Sequence, residues 1–591
     1  KLMTTTMTFK SLPFALSLCS LALLSACSSQ ISPKQEIREP EAATGFTKKQ
    51  KLIANEYMIA AANPYAVKAG KLMLDKGGSA IDAAIATQLV LTLVEPQSSG
   101  IGGGAFILHY DKSEKSLITL DGRETAPGNA TSGLFLDENG KAAPWIKAVV
   151  GGRSVGVPGI LHAFDKAHKD HGKLAWADLF EPAIELAEQG FIVSPRLNML
   201  LSKKLNPGLT QLPEAKAYFY PDDQPLSVGS IRKNPKLAAL YKNISKHGIS
   251  AFYTGQHAQN MVDAVQTSKI APGLLSLSDL ENYQSKYRDA ICTSYHAYKV
   301  CSMAPPSSGG VAVLQILKLL EGKKLSQYQP NDPKALHLFT QASRLAFADR
   351  NHYVADPDFV TVPTDALLDD TYLAERAKLI SDKDNHKVPV GKPLNGALSY
   401  AEDNSYELPS TTHVSIVDKE GNAISMTSSI EMAFGSTVMV DGYLLNNQLT
   451  DFALSPKKHG QLRANRVEAN KRPRSSMSPV MVFNQDGSLR LVVGSPGGSR
   501  IINYVAQTVI GVLDWQLDIQ SAINLPKITN RNKVTTLEKG TELEKHQDYF
   551  ESLGHKVFIR DLNSGLHGIE LVGGRLVGGA DPRREGIVLG E

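Results

Sequence analysis

The sequence predicts a mixed α/β fold, and three observations carry that prediction. Segments with helical spacing alternate with strand-like ones, and no internal repeat recurs. A glycine-rich loop over residues 100–105 opens directly onto an apolar strand. A strand–turn–strand pattern begins at Thr412, immediately after a polar and weakly patterned stretch.

Taken in order, the first element is a leader. Lys1 and Lys10 precede an apolar run over residues 12–24, too short to span a bilayer and suited to the hydrophobic part of a signal peptide. It ends in Leu24, Ser25, Ala26 and Cys27, which resembles a bacterial lipobox, where small residues admit a peptidase and the thiol receives a lipid. The expectation is a signal peptide over 1–26, a lipid anchor at Cys27 and a polar tether over 27–47. That places the protein in the periplasm, held to the outer or inner membrane by the anchor alone.

Ser79 then caps a helix with Asp82 three residues on, and Ala80, Ile81, Ala84, Ile85, Gln88 and Leu89 keep helical spacing until Pro96. Residues 105–110 form the strand after the glycine loop. That loop opens no helix and precedes no Gly-Lys-Ser/Thr, so it binds no phosphate. Cys292 and Cys301 flank a run that fits two strands around a short turn, either bridged across the pair or left as two thiols. The turn at 305–310, Pro-Pro-Ser-Ser-Gly-Gly, leads into an amphipathic helix over 311–321, and its serines read as turn chemistry. Residues 380–410, with Asp382, Lys383, Asp384, Asn385, Asn404 and Ser405, read as a flexible linker. The hairpin follows, with Glu420, Gly421 and Asn422 at its turn and a second strand over 423–429. Alone, its first strand would be a Thr-rich edge strand.

Composition excludes some classes. With 63 basic and 59 acidic residues the formal net charge is +4, and no basic stripe interleaves with aromatics as in polyanion binders, so no nucleic-acid partner is expected. Hydrophobic content of 42%, with 47 Gly and 31 Pro, fits a globular enzyme rich in loops. Of four Cys, Cys19 and Cys27 fall in the leader, and no His or carboxylate cluster joins the others at ligand spacing. Neither a metal nor a cofactor is expected.

An ordered series of motifs adds a specific resemblance. Thr411-Thr412-His413 is followed by Phe434-Gly435-Ser436, Leu445-Asn446-Asn447-Gln448, Asp451-Phe452, Asn470-Lys471-Arg472-Pro473, Ser475-Ser476-Met477-Ser478-Pro479 and Gly494-Ser495-Pro496-Gly497-Gly498-Ser499-Arg500. Upstream stand Gly102-Gly103-Gly104, Asp121-Gly122-Arg123-Glu124 and the 305–310 turn, and Gly579-Ala580-Asp581-Pro582-Arg583 closes the chain. Over roughly residues 50–591 the series resembles the gamma-glutamyltranspeptidases, of the N-terminal-nucleophile hydrolase superfamily.

The resemblance implies a four-layer αββα sandwich built by both chains of a self-cleaved precursor. Cleavage between Ser410 and Thr411 would give a large chain (48–410 beyond the tether) and a small catalytic chain (411–591), the two forming a heterodimer. The chemistry is coherent. A threonine hydroxyl needs an adjacent base, and a free α-amine titrating near pH ~7.7–8.0 supplies one on the same residue. By resemblance Ser429, where the family usually has Thr, would tune Thr411, and Gly497 and Gly498 would form the oxyanion hole. Arg123 would grip a glutamyl α-carboxylate through a bidentate fork, with Ser475 and Ser476, while Glu431, Gln448 and Asp451 would hold the α-ammonium.

Three departures stand out. Glu431 replaces a frequent Asn and adds negative charge, Arg474 replaces the usual Leu before the serine pair, and residues 452–474 are short and basic, with Lys457, Lys458, His459, Arg463 and Arg466. The expected activity is γ-glutamyl transfer and hydrolysis, with a donor such as glutathione and with water, an amino acid or a peptide as acceptor. The alternatives are a glutaryl or cephalosporin-type amidase of the same family and an inactive γ-glutamyl-binding lipoprotein.

Overall fold

The computed structural model describes residues 45–393, 400–403, 405, 407–408 and 410–591. The leader, Cys27, nearly all of the tether and Asn404 lie outside the described residues. Two antiparallel seven-stranded sheets form the centre. The first runs Ile587–Gly590, Met58–Ala61, Thr412–Val417, Ala423–Ser429, Gly104–Asp111, Ser116–Gly122, Lys286–Arg288. The second runs Leu52–Ala54, Arg575–Ala580, His567–Val572, Leu489–Gly494, Val480–Phe483, Tyr298–Ser302, Ile291–Tyr295. The sheets pack face to face through the strands around Thr412–Val417. Helices Pro64–Asp75, Ala80–Val94 and Ile160–His171 cover the first sheet, and Ser308–Glu321, Ile501–Leu513 and Ile519–Asn524 cover the second. This is a four-layer αββα sandwich, and segments on both sides of Thr411 supply strands to each sheet.

Thr412–Val417 is a central strand, paired on both edges, and every residue in it is buried. Val414 and Ile416 join Ile424 and Met426 in the core beneath the helices. The polar residues that made this strand read as an edge face the other sheet instead. His413 bonds Thr427 at 2.8 Å and Ser415 at 3.0 Å, and the Ser415 hydroxyl donates to the His567 carbonyl at 3.1 Å. Burial pushes the His413 imidazole well below its usual range, so the ring is a neutral inter-sheet link. Gly494 is required opposite it, because a Cβ there would lie 2.3 Å from the ring.

Helix Ala80–Val94 has the expected capping box between Ser79 and Asp82 and is buried on all sides. The helix expected over 311–321 begins earlier, at Ser308, because Ser307 caps it and Gly309 and Gly310 extend it. Those glycines let the helix start against the backbone of Ser476 and Met303, where a Cβ would meet carbonyl oxygens at 2.4 and 2.1 Å. Cys292 and Cys301 face each other in the hairpin register and are disulfide-bonded.

The stretch over 380–410 departs from the flexible-linker expectation. Helical and strand structure is absent among its described residues, but three of its carboxylates, Asp384, Asp403 and Glu407, are buried and paired. Asp384 accepts from Arg344 Nε at 2.8 Å, Asp403 from Asn465 at 2.9 Å, and Glu407 from Arg350. Composition counts these charges as solvated; the buried cations that satisfy them come from distant parts of the chain.

Candidate active site

The hairpin register brings Ser429 back beside the start of its partner strand, since Thr412 pairs with Ser428. The chain is continuous from Ser410 to Thr411, and both residues are buried. Thr411 Oγ1 donates to the Ser410 carbonyl at 2.7 Å and lies 3.2 Å from Ser429 Oγ. Ser429 Oγ donates to the same carbonyl at 2.9 Å and accepts from the Glu431 amide at 2.8 Å, which fixes its direction. Ser410 Oγ donates to the Gln97 carbonyl. Glu431 takes a left-handed φ of 79°, a costly conformation for a non-glycine residue.

A second cluster lies around Arg123, fully buried at the end of strand Ser116–Gly122. Its Nη2 donates to Asp451 and, at 2.8 Å, to the Arg474 carbonyl; its Nε donates to the Pro473 carbonyl at 3.2 Å. Nη1 makes no hydrogen bond, with Glu124 Oε2 3.6 Å away. The uncut chain therefore leaves only the Nη1 group of Arg123 without a hydrogen bond, rather than a fork. Gln448 Nε2 donates to Asp451 at 3.3 Å. Burial raises the Asp451 carboxyl to about 6 against the pull of Arg123, and raises Glu124 to about 8. Burial, and next the Asp451 charge, push the Glu431 carboxyl well above its usual range.

Ser475 and Ser476 lie against the start of helix Ser308–Glu321, where Ser308 Oγ donates to the Ser475 carbonyl at 2.8 Å. Ser476 Oγ accepts from Arg350 Nη2 at 2.7 Å. Gly497 and Gly498 have φ of 135° and 56°, and a Cβ on Gly498 would meet the Glu407 carbonyl at 2.4 Å. Residues 407–408 therefore cross directly over Gly498.

The structure joins Ser410, Thr411, Ser429 and Glu431 through hydrogen bonds, and Arg123, Gln448 and Asp451 through a second set. The Cys292–Cys301 bridge stands elsewhere, in a hairpin at the edge of the second sheet. Sequence reasoning missed Arg350, Asp403 and Glu407. The signal available for Arg350 was a charge amid the apolar residues Leu345, Ala346, Phe347 and Ala348 of helix Pro333–Tyr353. Among the described residues no group of His, Cys, Asp and Glu is placed to hold a metal ion, and no helix is long and apolar enough to cross a membrane.

Comparisons with known proteins find relatives over most of the chain. The sequence model of the family described as gamma-glutamyltranspeptidase matches residues 66–591. A glutathione hydrolase proenzyme of Bacillus subtilis (strain 168) is 37% identical over 557 residues, 92% of each chain. One of Escherichia coli (strain K12) is 35% identical over 542 residues, 90% of this chain and 91% of its own. The crystal structure of a cephalosporin acylase from Bacillus halodurans superposes with a TM-score of 0.81 at 26% identity, covering 94% of this chain and 99% of that one.

Proposed function

The chain belongs to the gamma-glutamyltranspeptidase family, and from that premise we propose how it works: it cuts itself before Thr411 and then hydrolyses or transfers γ-glutamyl groups through that threonine. The observation that carries this reading is the Thr411 hydroxyl held on its own preceding carbonyl, with the Ser429 hydroxyl on the same oxygen. In the first step Thr411 Oγ1 adds to the Ser410 carbonyl carbon. Charge builds on the carbonyl oxygen, where Ser429 donates. The C–N bond breaks, the Ser410 acyl group passes to Oγ1, and the α-amine is freed with a proton. Water hydrolyses the ester and leaves residues 411–591 as a chain that begins with the nucleophile.

In the second step the α-amine, with an ordinary pKa of ~7.7–8.0, takes the hydroxyl proton as Oγ1 attacks the donor's γ-amide. Gly497 and Gly498 face the developing oxyanion. Arg123 Nη1, with the Ser475 and Ser476 hydroxyls, receives the α-carboxylate, while Asp451, Gln448 and Glu431 receive the ammonium. A buried arginine donor without a partner costs free energy unless an anion arrives, which supports this assignment. Water or an amine then resolves the γ-glutamyl ester. Glutathione and related γ-glutamyl amides are the proposed donors. Export and lipid anchoring at Cys27 belong to the same proposal and rest on the sequence of the leader alone.

The test is kcat/KM for a γ-glutamyl anilide, with and without a dipeptide acceptor, against the 4-aminobutanoyl anilide that lacks the α-carboxylate. Wild type should prefer the carboxylate-bearing donor strongly, and Arg123→Ala should lose much of that preference while still self-processing. A wild type that favours a glutaryl anilide would move the chain to the amidase alternative.

A further inference from the structure

Residues 407–410 lie on the acyl side of the bond that Thr411 cuts, because Ser410 supplies the attacked carbonyl. The Glu407 carboxylate accepts from Arg350 Nη2 and lies 3.5 Å from Arg474 Nε, while Asp403 Oδ2 lies 3.2 Å from Arg474 Nη2. Arg350 Nη2 also donates to Ser476 Oγ at 2.7 Å. Both guanidiniums are almost fully buried, with side-chain exposures of 2% and 1%. One residue further on, the Leu408 amide donates to the Glu431 carboxyl at 3.2 Å.

The same threonine oxygen acts on both substrates, first its own chain and then the donor, so the donor's acyl part must fall where Glu407, Leu408 and Ser410 now lie. In that overlay the Leu408 N–H stands in for the donor's ammonium at Glu431. The Glu407 carboxylate stands in for the donor's own carboxylate. A carboxylate has two oxygens to satisfy, and Arg123 offers a single free group. Once Glu407 withdraws, Arg350 loses its paired carboxylate and Arg474 keeps only Asp403, and buried ions short of counter-charge are strongly disfavoured. An incoming carboxylate resolves both deficits.

We propose that Arg350 and Arg474, with the Ser476 hydroxyl, form an anion subsite that shares the donor's α-carboxylate with Arg123, and that Glu407 fills this subsite until cleavage. The subsite deepens the γ-glutamyl reading and rests on it.

Two measurements on self-processed enzyme test the subsite. The first is the ratio of kcat/KM for the γ-glutamyl anilide to that for the 4-aminobutanoyl anilide, in wild type and in Arg474→Leu. Loss of a hydrogen-bonded charge contact should cut the ratio at least roughly tenfold, mainly through KM. The second is inhibition of wild type by the tetrapeptide Glu-Leu-Pro-Ser, the sequence of residues 407–410. It should compete with the γ-glutamyl anilide, and its glutamine counterpart should compete at least roughly tenfold less well. A wild type without preference for the carboxylate-bearing donor defeats the γ-glutamyl reading and the subsite together. A wild-type preference that survives intact in Arg474→Leu, or equal inhibition by the two peptides, defeats the subsite alone.

Discussion

Ser429→Ala should cripple maturation, and the size of the effect follows from one oxygen. The Ser410 carbonyl accepts from Thr411 Oγ1 at 2.7 Å and from Ser429 Oγ at 2.9 Å. When Thr411 attacks, its hydroxyl gives up its proton and ceases to donate, whereas Ser429 keeps its donor aimed at the oxygen that becomes negative. Removing one such donor typically costs about 2.7–4 kcal/mol, a factor of ~10²–10³ in rate. The Glu431 amide also loses its acceptor, but that cost falls on ground and transition states alike and leaves the barrier unchanged. The assay is a time course on denaturing gels following conversion of the full chain into two bands, with the new N-terminus sequenced as Thr411. Ser429→Thr restores the hydroxyl and should process within about tenfold of wild type, one order of magnitude being about 1.4 kcal/mol of barrier. Folded Ser429→Ala protein that matures at the wild-type rate would refute the argument and shift the oxyanion role in self-cleavage to backbone donors.

Thr411→Ala should remain one uncut chain without amidase activity, and Thr411→Ser should mature more slowly; cleavage of the alanine variant at this bond would remove Thr411 from the reaction. Burial raises Glu124 from an ordinary 4.5 to about 8, so the folded chain holds a proton there that the unfolded chain releases. The associated stability is full below about pH 4.5 and is lost as pH rises towards about 8. The Tm of uncut Thr411→Ala chain should therefore fall across that window and Glu124→Gln should flatten the fall; parallel profiles would contradict the assignment. Cys27→Ala should release active enzyme from membranes, and wild type left unmarked by a radiolabelled fatty acid would end the anchoring proposal.

The parts of this fold legible in sequence are those fixed by local chemistry. The Ser79 cap with Asp82, the strand after the glycine loop and the hairpin at Glu420-Gly421-Asn422 each depend on a few neighbouring residues. Layering depends on partners far apart, such as Leu52 against Gly578, and no window of sequence contains both. The central strand was obscured for another reason. His413 and Ser415 have the composition of an exposed edge, and it takes the second sheet, where the His567 carbonyl accepts from Ser415, to bury them. A polar strand between two sheets is legible only once both sheets are known.

The site divides in the same way. Thr411, Arg123 and the Gly497–Gly498 pair stand in an ordered series of motifs and Ser429 follows from the same resemblance, whereas Glu407 and Asp403 fall in the stretch that reads as a linker. Their burial fits the demands on a segment that must first be held and then expelled. Before cleavage, the Ser410 carbonyl has to stay on Thr411 in one register, which calls for strong directional contacts on residues 403–408. Afterwards the same residues have to give way to a small donor. Apolar anchors would resist, since their burial is lost with nothing of equal area to replace it. Carboxylate–guanidinium contacts can be exchanged: the cations keep their places, and a substrate carboxylate restores the charge balance that Glu407 withdraws. The linker's negative charge is then part of the site, and acidic residues just ahead of Thr411 point to the anion that the mature enzyme takes.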